Sequence, residues 1–357
     1  MQKLRFIFLF LLGGISLVSH AQFVVTGTVI DSATREPLAL ASVFCQNTTL
    51  GTATNKQGEF TLTLKSGGYD LVFSYTGYQT QTIRVTDNNK IDVVMVKEEK
   101  SLQDVVIRSS NEVANGWEKY GDFFVSNFIG STPNAQQCTL LNPEVLKFYF
   151  SKRTNKLKVL AQEPILIANK ALGYNLRYQL DSFIYYYTTN LNLYKGYCLY
   201  SEMDGSDSLK RVWANNRMKT YYGSKLQFMR SYYDSTLTED GWTIDMLDEN
   251  DLTKFNRIKD VYDTTYYGAL DSSDQVEIWF PRKISIGYTK RKPEPEYLKK
   301  FGLPKSVATQ ISYIDLKDAI IIKQNGYYYD QKDWVNQGYF SWKNIADQLP
   351  YDYLPQR

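Results

Sequence analysis

Residues Phe23–Val96 read FVVTGTVIDSATREPLALASVFCQNTTLGTATNKQGEFTLTLKSGGYDLVFSYTGYQTQTIRVTDNNKIDVVMV, and this stretch decides the fold of the first part of the chain. Turn residues interrupt short alternating runs about every ten positions, a pattern typical of a small β-sandwich. The alternation is clear at Phe60, Leu62 and Leu64, which therefore share one face of a strand. The sequence predicts seven strands, near Val24–Ile30, Ser42–Gln46, Thr49–Thr54, Glu59–Leu64, Asp70–Tyr75, Thr80–Val85 and Ile91–Val96.

The pattern of residues 111–357 predicts a larger, mixed β-rich domain with a few helices. A helix is predicted over Asn111–Ile129, because Trp117, Tyr120, Phe124 and Phe128 recur at three- and four-residue spacing. This aromatic face indicates packing against a sheet. Further helical character is predicted at Ser208–Tyr222, Arg230–Tyr233 and Thr253–Ile258, and a strand followed by a short helix within 338–353. Strands are predicted at Lys156–Leu160, Tyr174–Leu180, Phe183–Thr189, Tyr197–Tyr200, Gln275–Phe280, Ser285–Tyr288 and Ala319–Lys323.

The first 21 residues predict a secretory signal peptide. Lys3 and Arg5 precede an apolar run at Phe6–Val18 that is shorter than the roughly 20 residues a membrane-spanning helix needs, and small residues frame a cleavage point after Ala21. The predicted organisation is a signal peptide (1–21), a β-sandwich (22–97), a linker strand (98–110) and a β-rich domain of unknown function (111–357). We therefore expect an exported protein that is periplasmic or associated with the outer membrane.

Removal of the signal peptide changes which kinds of chemistry the chain supports. His20 is the single histidine, so the mature chain has none, which excludes Ser-His-Asp and Cys-His nucleophile systems and His-containing zinc sites. The loss of Lys3 and Arg5 lowers the 41 basic residues to 39, against 38 acidic ones, so we expect no nucleic-acid partner. Carboxylate-based hydrolysis remains open. No catalytic, cofactor-binding or metal-binding residue is predicted.

Three cysteines remain, namely Cys45, Cys138 and Cys198. An exported compartment permits a disulfide, and Cys138 and Cys198 lie in the same region, so that pair is the candidate bridge. The alternative is that the cysteines are buried free thiols that pack as small hydrophobic residues.

Runs of tyrosine predict an aromatic binding surface, because adjacent residues on a strand point to opposite faces and each run would expose at least one ring. The candidate residues are Tyr185, Tyr187, Tyr221, Tyr327 and Tyr329. Core packing is the competing interpretation. The acidic cluster Asp245, Asp248, Glu249 and Asp251 lacks calcium-loop spacing and is interpreted as a solvated loop.

The first module resembles the carboxypeptidase regulatory-like domain, a transthyretin-like β-sandwich. The matching motifs are GTVID at Gly27–Asp31, EPLALASV at Glu36–Val43, TNKQGEF at Thr54–Phe60 and FSYTGY at Phe73–Tyr78. In metallocarboxypeptidases this domain is an accessory without zinc ligands, so the resemblance implies no peptidase activity. Residues Leu102–Ile107 resemble the strand that joins this module to the plug of TonB-dependent receptors in Bacteroidetes-type bacteria.

The second region resembles the uncharacterised part of carboxypeptidase regulatory-like proteins from the same bacteria. The motifs are FIGSTPNAQQC at Phe128–Cys138, NKALGY at Asn169–Tyr174, YKGY at Tyr194–Tyr197 and the C-terminal GYFSW and LPYDY. This resemblance implies no reaction and no cofactor.

The function favoured by the sequence is non-enzymatic binding or scaffolding at the periplasm or outer-membrane face. The accessory module and the absence of histidine from the mature chain support it. The expected partner is an outer-membrane or periplasmic protein or a glycan, with at most peripheral contact to the membrane. The alternative is a carboxylate-based hydrolase that acts on glycan or peptide through the second region. A third class, a small protein embedded in the outer membrane, also stays open.

Overall fold

The computed structural model describes residues 22–65, 68–85, 90–98, 111–251, 254–269, 275–329 and 333–356. The predicted signal peptide at 1–21 and nearly all of the predicted linker strand at 98–110 lie outside these described residues.

The first module is a sandwich of seven strands in two sheets, as predicted. Strand β1 lies in the centre of one sheet, in the order β4-β1-β7, and it pairs antiparallel with β4 and parallel with β7. The other sheet has the order β3-β2-β5-β6. The strands are β1 (Gln22–Asp31), β2 (Ser42–Cys45), β3 (Gly51–Ala53), β4 (Glu59–Lys65), β5 (Tyr69–Ser74), β6 (Gln81–Val85) and β7 (Lys90–Met95).

Alternation along β4 builds the interior of the sandwich. Phe60, Leu62 and Leu64 are buried, and every residue between them is exposed. The turn before this strand needs a glycine, because Gly58 has φ +72° and a Cβ there would lie 2.6 Å from the carbonyl oxygen of Val29. The turn thereby lets β4 lie closely against β1.

Helix α1 (Gly116–Phe128) begins later than predicted, because Asn115 adopts the left-handed conformation with φ 55°. The predicted core packing is confirmed at its C-terminal half, where Phe124 and Phe128 are fully buried. The ring of Phe124 lies 5.2 Å from that of Phe183, and the ring of Phe128 lies 5.0 Å from that of Tyr178.

The helix packs on a six-stranded sheet that forms the first core of the second region. Strand β12 is central, with β13 along one edge and β11 and β10 sharing the other, and β8 and β9 are outermost. The two strands predicted at 174–180 and 183–189 are one long strand with an irregularity between Leu180 and Ser182. The strands are β8 (Cys138–Leu140), β9 (Leu146–Ser151), β10 (Lys156–Ala161), β11 (Ile165–Asn169), β12 (Tyr174–Tyr186) and β13 (Leu191–Glu202).

A second core lies in the same region, between a five-stranded sheet of order β15-β14-β18-β19-β21 and a three-stranded sheet of order β16-β17-β20. The helical turn predicted at Thr253–Ile258 is wrong, since β15 pairs antiparallel with β14 there. The strands are β14 (Trp242–Leu247), β15 (Phe255–Arg257), β16 (Tyr267–Ala269), β17 (Gln275–Ile278), β18 (Ile284–Tyr288), β19 (Gln310–Leu316), β20 (Ile320–Lys323) and β21 (Trp334–Gly338).

Four further α-helices lie in the described part of the chain. They are α2 (Asp207–Tyr221), α3 (Lys225–Tyr233), α4 (Pro295–Lys300) and α5 (Tyr339–Trp342). The strand predicted at the start of 338–353 is wrong, since β21 ends at Gly338 and the next residues, Tyr339–Trp342, form helix α5. The chain is mainly β, as predicted, and the described part of its second region contains two large hydrophobic cores and a small cluster of Tyr297, Leu298, Tyr339 and Trp342. Across the described ranges, no helix combines the length and the apolar character needed to cross a membrane.

Candidate functional site

The sandwich and the second region meet at a junction built mainly from loops. The loop after β2 lies along the edge of β13, where the backbone N–H of Asn47 donates to the carbonyl oxygen of Cys198 at 2.7 Å. The N–H of Tyr200 donates to the carbonyl of Thr48 at 2.9 Å, and Thr48 is 1% exposed. These two bonds form a parallel bridge, so the loop extends the edge of the six-stranded sheet.

Side chains of β12 make a second set of contacts with the sandwich. Arg177 Nη1 donates to Ser42 Oγ at 3.3 Å, and the side-chain amide of Gln179 donates to the hydroxyl of Thr80. The central strand of the first core therefore contacts both β2 and the segment before β6.

The turn after β20 makes a third set of contacts. The Asn325 side chain accepts from the N–H of Gly68 at 3.2 Å and donates to its carbonyl at 3.1 Å. The Tyr327 hydroxyl donates to Asp70 Oδ2 at 2.5 Å. Burial, together with the charge of Asp70, raises the pKa of Tyr327 far above its ordinary value, so the phenol stays a donor.

Arg84 and Arg230 both contact this third set. The guanidinium carbon of Arg84 lies 3.6 Å from the ring centroid of Tyr329, and its Nε is 3.5 Å from Asp70 Oδ1. Arg230 on α3 is 8% exposed and donates to the carbonyls of Asn325 at 3.0 Å and Tyr351 at 2.9 Å. Its charge is therefore satisfied by backbone oxygens of two loops.

This arrangement contradicts the predicted binding surface for three of its five tyrosines. Tyr327 and Tyr329 are each 2% exposed because the sandwich covers them, while Tyr328 between them faces the second core. Tyr221 is 7% exposed because it packs in the first core. The side chains of residues 327–329 do alternate between two faces, as predicted. The face that was predicted to be exposed is instead covered by the sandwich.

Tyr185 and Tyr187 differ from the other candidates, since both are half-buried on the same face of β12 and its continuation. The ring of Phe123 on α1 lies 4.7 Å from that of Tyr185 and 5.6 Å from that of Tyr187. Both rings therefore support the helix and keep part of their surface accessible. Their role in binding stays a prediction.

The disulfide proposed between Cys138 and Cys198 is incompatible with the sheet order. Cys138 lies on β8 and Cys198 on β13, and β11 and β12 separate these strands. Three strand spacings of about 4.8 Å exceed the Cα separation of about 4.4–6.8 Å that a disulfide allows. All three thiols are free, and burial raises the pKa of Cys138 to about 12.

Two members of the acidic cluster have partners within the fold. Asp245 is buried and pairs with Arg257 across β14 and β15, while Asp248 caps the loop that follows by accepting from the N–H of Asn250 at 2.9 Å. In the ranges that the structure describes, no three His, Cys, Asp or Glu side chains come together as potential metal ligands.

A cleft of about 240 Å³ opens beside the junction. Its walls come from the sandwich, the β12–β13 pair, α2 and the C-terminal segment. Residues Thr49, Tyr174, Glu202, Arg217, Asp352 and Tyr353 carry its polar and aromatic groups.

Arg217 fixes one wall of the cleft. Its Nε donates to the carbonyl of Leu172 at 2.7 Å and its Nη2 to that of Gly173 at 3.1 Å. Its Nη1 donates to Glu202 Oε1 at 2.7 Å, and its guanidinium carbon lies 3.8 Å from the ring centroid of Tyr174. Gly173 lets Trp213 of α2 pack closely here, because its φ is +68° and a Cβ there would lie 2.1 Å from the Trp213 side chain.

Asp352 closes the cleft against the sandwich. Its Oδ1 accepts from the backbone N–H of Thr49 at 2.9 Å, and its other oxygen accepts from the Thr49 hydroxyl. Glu202 and Asp352 therefore line one cleft, and each is already held by a partner. Sequence reasoning did not single out these cleft residues, although the motifs NKALGY and LPYDY contain Tyr174, Asp352 and Tyr353.

Comparison with known proteins identifies the first module. Residues 25–107 match the model of the CarboxypepD_reg-like domain. TonB-dependent receptor P39 of Formosa agariphila is 33% identical over 128 residues, which cover 36% of this chain and 12% of the receptor. TonB-dependent receptor SusC of Bacteroides thetaiotaomicron is 32% identical over 118 residues, which cover 32% of this chain and 12% of the receptor.

The chain thus spans about an eighth of the length of these curated relatives. A solved structure of a DUF3823 family protein from Bacteroides ovatus is 12% identical and covers 52% of this chain and 83% of its own, with a TM-score of 0.18. A TM-score of this size supports no inference. The resemblance predicted from the GTVID and FSYTGY motifs is confirmed, and residues 25–107 are a CarboxypepD_reg-like domain.

Proposed function

We propose that the chain is an exported, non-enzymatic binding or scaffolding protein of the periplasm or the outer-membrane face. The observation that carries this proposal is the junction, where three separate sets of contacts fix the CarboxypepD_reg-like domain to the second region. A module fixed in this way extends a rigid surface, whereas a module on a loose linker acts as a tether. The domain serves here as part of the platform.

Two further observations support the proposal. The mature chain predicted from the sequence has no histidine, which removes the commonest general base. The receptors that are similar to about a third of this chain are named as TonB-dependent, which supports a place at the outer-membrane face for this chain as well. The partner in this proposal is an outer-membrane or periplasmic protein or a glycan.

Fractionation with in-cell cross-linking tests this proposal. We expect the processed chain in the periplasmic or outer-membrane fraction, released by a carbonate wash, and cross-linked to a defined partner or retained on a glycan matrix. A cytoplasmic, unprocessed chain would contradict the location. A processed chain that recovers neither a protein partner nor a glycan would contradict the binding role.

The alternative of a carboxylate hydrolase has one specific observation in its favour, since Glu202 and Asp352 line the same cleft. A screen with chromogenic glycosides and peptides tests it. Turnover by the wild-type chain that is lost in both Glu202→Gln and Asp352→Asn would replace the binding proposal with the enzymatic one.

A further inference from the structure

The end of α4 and the loop that follows it form a tip of residues 299–305 on the second region. Every residue of this tip is exposed. We propose that the tip contacts the surface of a phospholipid bilayer that carries anionic headgroups. This inference rests on the proposed place at the outer-membrane face, and it adds a lipid contact to the protein or glycan partner proposed above.

Two apolar side chains lie at the surface of the tip. Phe301 is 46% exposed and Leu303 is 38% exposed. Gly302 between them has φ +62°, and a Cβ at this position would have no described atom within 4 Å apart from its own chain neighbours. The turn that carries the two side chains therefore faces open space, so the tip is a convex projection and not the wall of a groove.

The tip stands on a buried base. Tyr297 and Leu298 of α4 are buried in the small cluster that also contains residues of α5. The ring of Phe301 lies 4.7 Å from that of Tyr297, so its inner edge packs on the base while the rest of the ring remains exposed. This packing fixes the direction in which the tip projects.

Backbone hydrogen bonds hold the turn itself in one conformation. The N–H of Leu303 donates to the carbonyl of Leu298 at 2.8 Å, and the N–H of Gly302 donates to that of Lys299 at 3.4 Å. These two bonds form the motif that commonly ends a helix at a glycine in the left-handed conformation. The apolar side chains are thus positioned before any contact forms, which lowers the entropy that binding would cost.

Three lysines flank the apolar side chains in the sequence. Lys299 and Lys305 are exposed, and neither forms a hydrogen bond or an ion pair with the described residues. Lys300 donates to Ser131 Oγ at 3.0 Å, a neutral acceptor that leaves the lysine charge unbalanced. Glu296, one turn earlier on α4, is the nearest acidic residue in the sequence. The tip therefore carries net positive charge around its apolar side chains.

This combination favours a bilayer surface over an acidic protein. Apolar side chains of a projecting segment enter the boundary between headgroups and acyl chains, while lysines beside them keep their ammonium groups among anionic headgroups. A stable protein interface instead buries about 800 Å² on each partner, and a convex tip with two apolar side chains offers much less. The geometry and the charge of the tip both suit a peripheral contact with lipid.

Co-sedimentation of the whole mature chain with vesicles tests the inference. The probes are vesicles of phosphatidylglycerol mixed with phosphatidylethanolamine, and vesicles of phosphatidylcholine alone. The first variant, Phe301→Ser with Leu303→Ser, removes the two apolar side chains. The second variant, Lys299→Glu with Lys305→Glu, reverses two charges and leaves the apolar side chains in place.

Each variant has a matched control on another surface. Phe255→Ser changes a side chain that is 59% exposed on β15, at the opposite edge of the five-stranded sheet from β21 and α5. Lys152→Glu changes an exposed residue in the turn between β9 and β10. Both controls should bind vesicles as the wild type does, because neither changes the tip.

We expect the wild-type chain to bind the anionic vesicles and to bind phosphatidylcholine much more weakly. The first variant should weaken binding to the anionic vesicles about tenfold or more, since it removes the apolar surface that enters the bilayer. The second should weaken it at least as much, because each basic residue near an anionic surface contributes about fivefold. If the first variant does not fold, Phe301→Ser alone replaces it and should weaken binding about threefold or more.

A wild-type chain that does not bind anionic vesicles would overturn the inference. Equal binding by the wild type and the folded apolar variant would also overturn it, since charge alone would then explain the adsorption. An apolar variant that keeps vesicle binding but loses the in-cell cross-link to a protein would assign the tip to that protein instead.

Failure of this inference is distinguishable from failure of the proposed function. A wild-type chain that ignores vesicles but still cross-links to a partner at the outer-membrane face would overturn only the lipid contact. An unprocessed chain in the cytoplasm would contradict the proposed function, whether or not vesicles retain the purified chain.

Discussion

Two tyrosine–aspartate hydrogen bonds involve the sandwich. One lies within the module, and the other joins the module to the second region. Within the module, the Tyr78 hydroxyl donates to Asp31, which also accepts from the N–H groups of Ala33 at 2.7 Å and Thr34 at 2.8 Å. At the junction, the Tyr327 hydroxyl donates to Asp70, which is also 3.5 Å from Arg84. Both pairs are hydrogen bonds from a phenol to a carboxylate, but the other groups that contact each aspartate differ.

The difference lies in what positions each partner. Asp31 and Tyr78 are 47 residues apart and belong to the motifs GTVID and FSYTGY, so the module itself brings them together. Asp70 and Tyr327 are 257 residues apart and meet only when the two parts of the chain dock. The first pair therefore depends only on the fold of the module, and the second forms only when the module docks on the second region.

Removing the buried ring at the junction should have the largest effect. Tyr327→Ala should lower the free energy of unfolding by about 3–5 kcal/mol, since it leaves a cavity between the sandwich and the second region. Tyr78→Ala should cost clearly less, because Tyr78 is only half-buried. Urea denaturation followed by tryptophan fluorescence measures both. A change near zero in Tyr327→Ala would mean that the junction does not depend on this ring.

Removing only the hydroxyl separates packing from hydrogen bonding. Tyr327→Phe should lower the free energy of unfolding by about 1–2 kcal/mol, because Asp70 loses its phenolic donor in a partly buried setting. Tyr78→Phe is the matched control at neutral pH, and it should cost less because Asp31 keeps two backbone donors. Chemical denaturation measures the difference, and a larger cost at Tyr78 would reverse the comparison.

The loop that extends β13 should respond less strongly. Asn47 has φ 55°, and its Oδ1 accepts from the N–H of Cys198 at 3.3 Å. Asn47→Ala should cost about 1 kcal/mol, because alanine is disfavoured in the left-handed conformation. Asn47→Asp keeps the acceptor and should cost less. Hydrogen exchange at Cys198 and Tyr200 reports the local opening, and unchanged exchange in Asn47→Ala would contradict the role of the loop.

The smallest expected effect is a pH dependence of stability that comes from the Asp31–Tyr78 pair. The Tyr78 hydroxyl, with the N–H of Thr34, lowers the pKa of Asp31 from 3.8 to about 2. The stabilisation is therefore fully present above about pH 4 and is lost as the pH falls toward 2. Urea midpoints measured across this range should fall less steeply in Tyr78→Phe than in the wild type. Parallel pH profiles would show that Tyr78 does not set the pKa of Asp31.

The same contrast explains how much of the molecule could be predicted from sequence. Phe60, Leu62 and Leu64 revealed their strand because alternation records which side chains one sheet buries. Alternation also placed Tyr327 and Tyr329 on one face, but it does not record whether another module covers that face. The cleft escaped prediction because Thr49, Tyr174 and Asp352 come from three distant segments that only tertiary docking unites. The predicted disulfide between Cys138 and Cys198 was wrong for a related reason, because the local sequence pattern does not determine the order of strands within a sheet.

The sequence separation of the junction contacts imposes an order on assembly. The strands of the sandwich pair within residues 22–95, so this module can complete its hydrogen bonds while most of the chain is still to be made. The contact of Thr49 with Asp352 spans 303 residues and must await the last part of the described sequence. Contacts of such long range are slow to close, because the chain loses entropy before it gains their energy. The contact between Thr49 and Asp352 therefore closes after the sandwich has formed, and the loop after β2 gains this support late in folding.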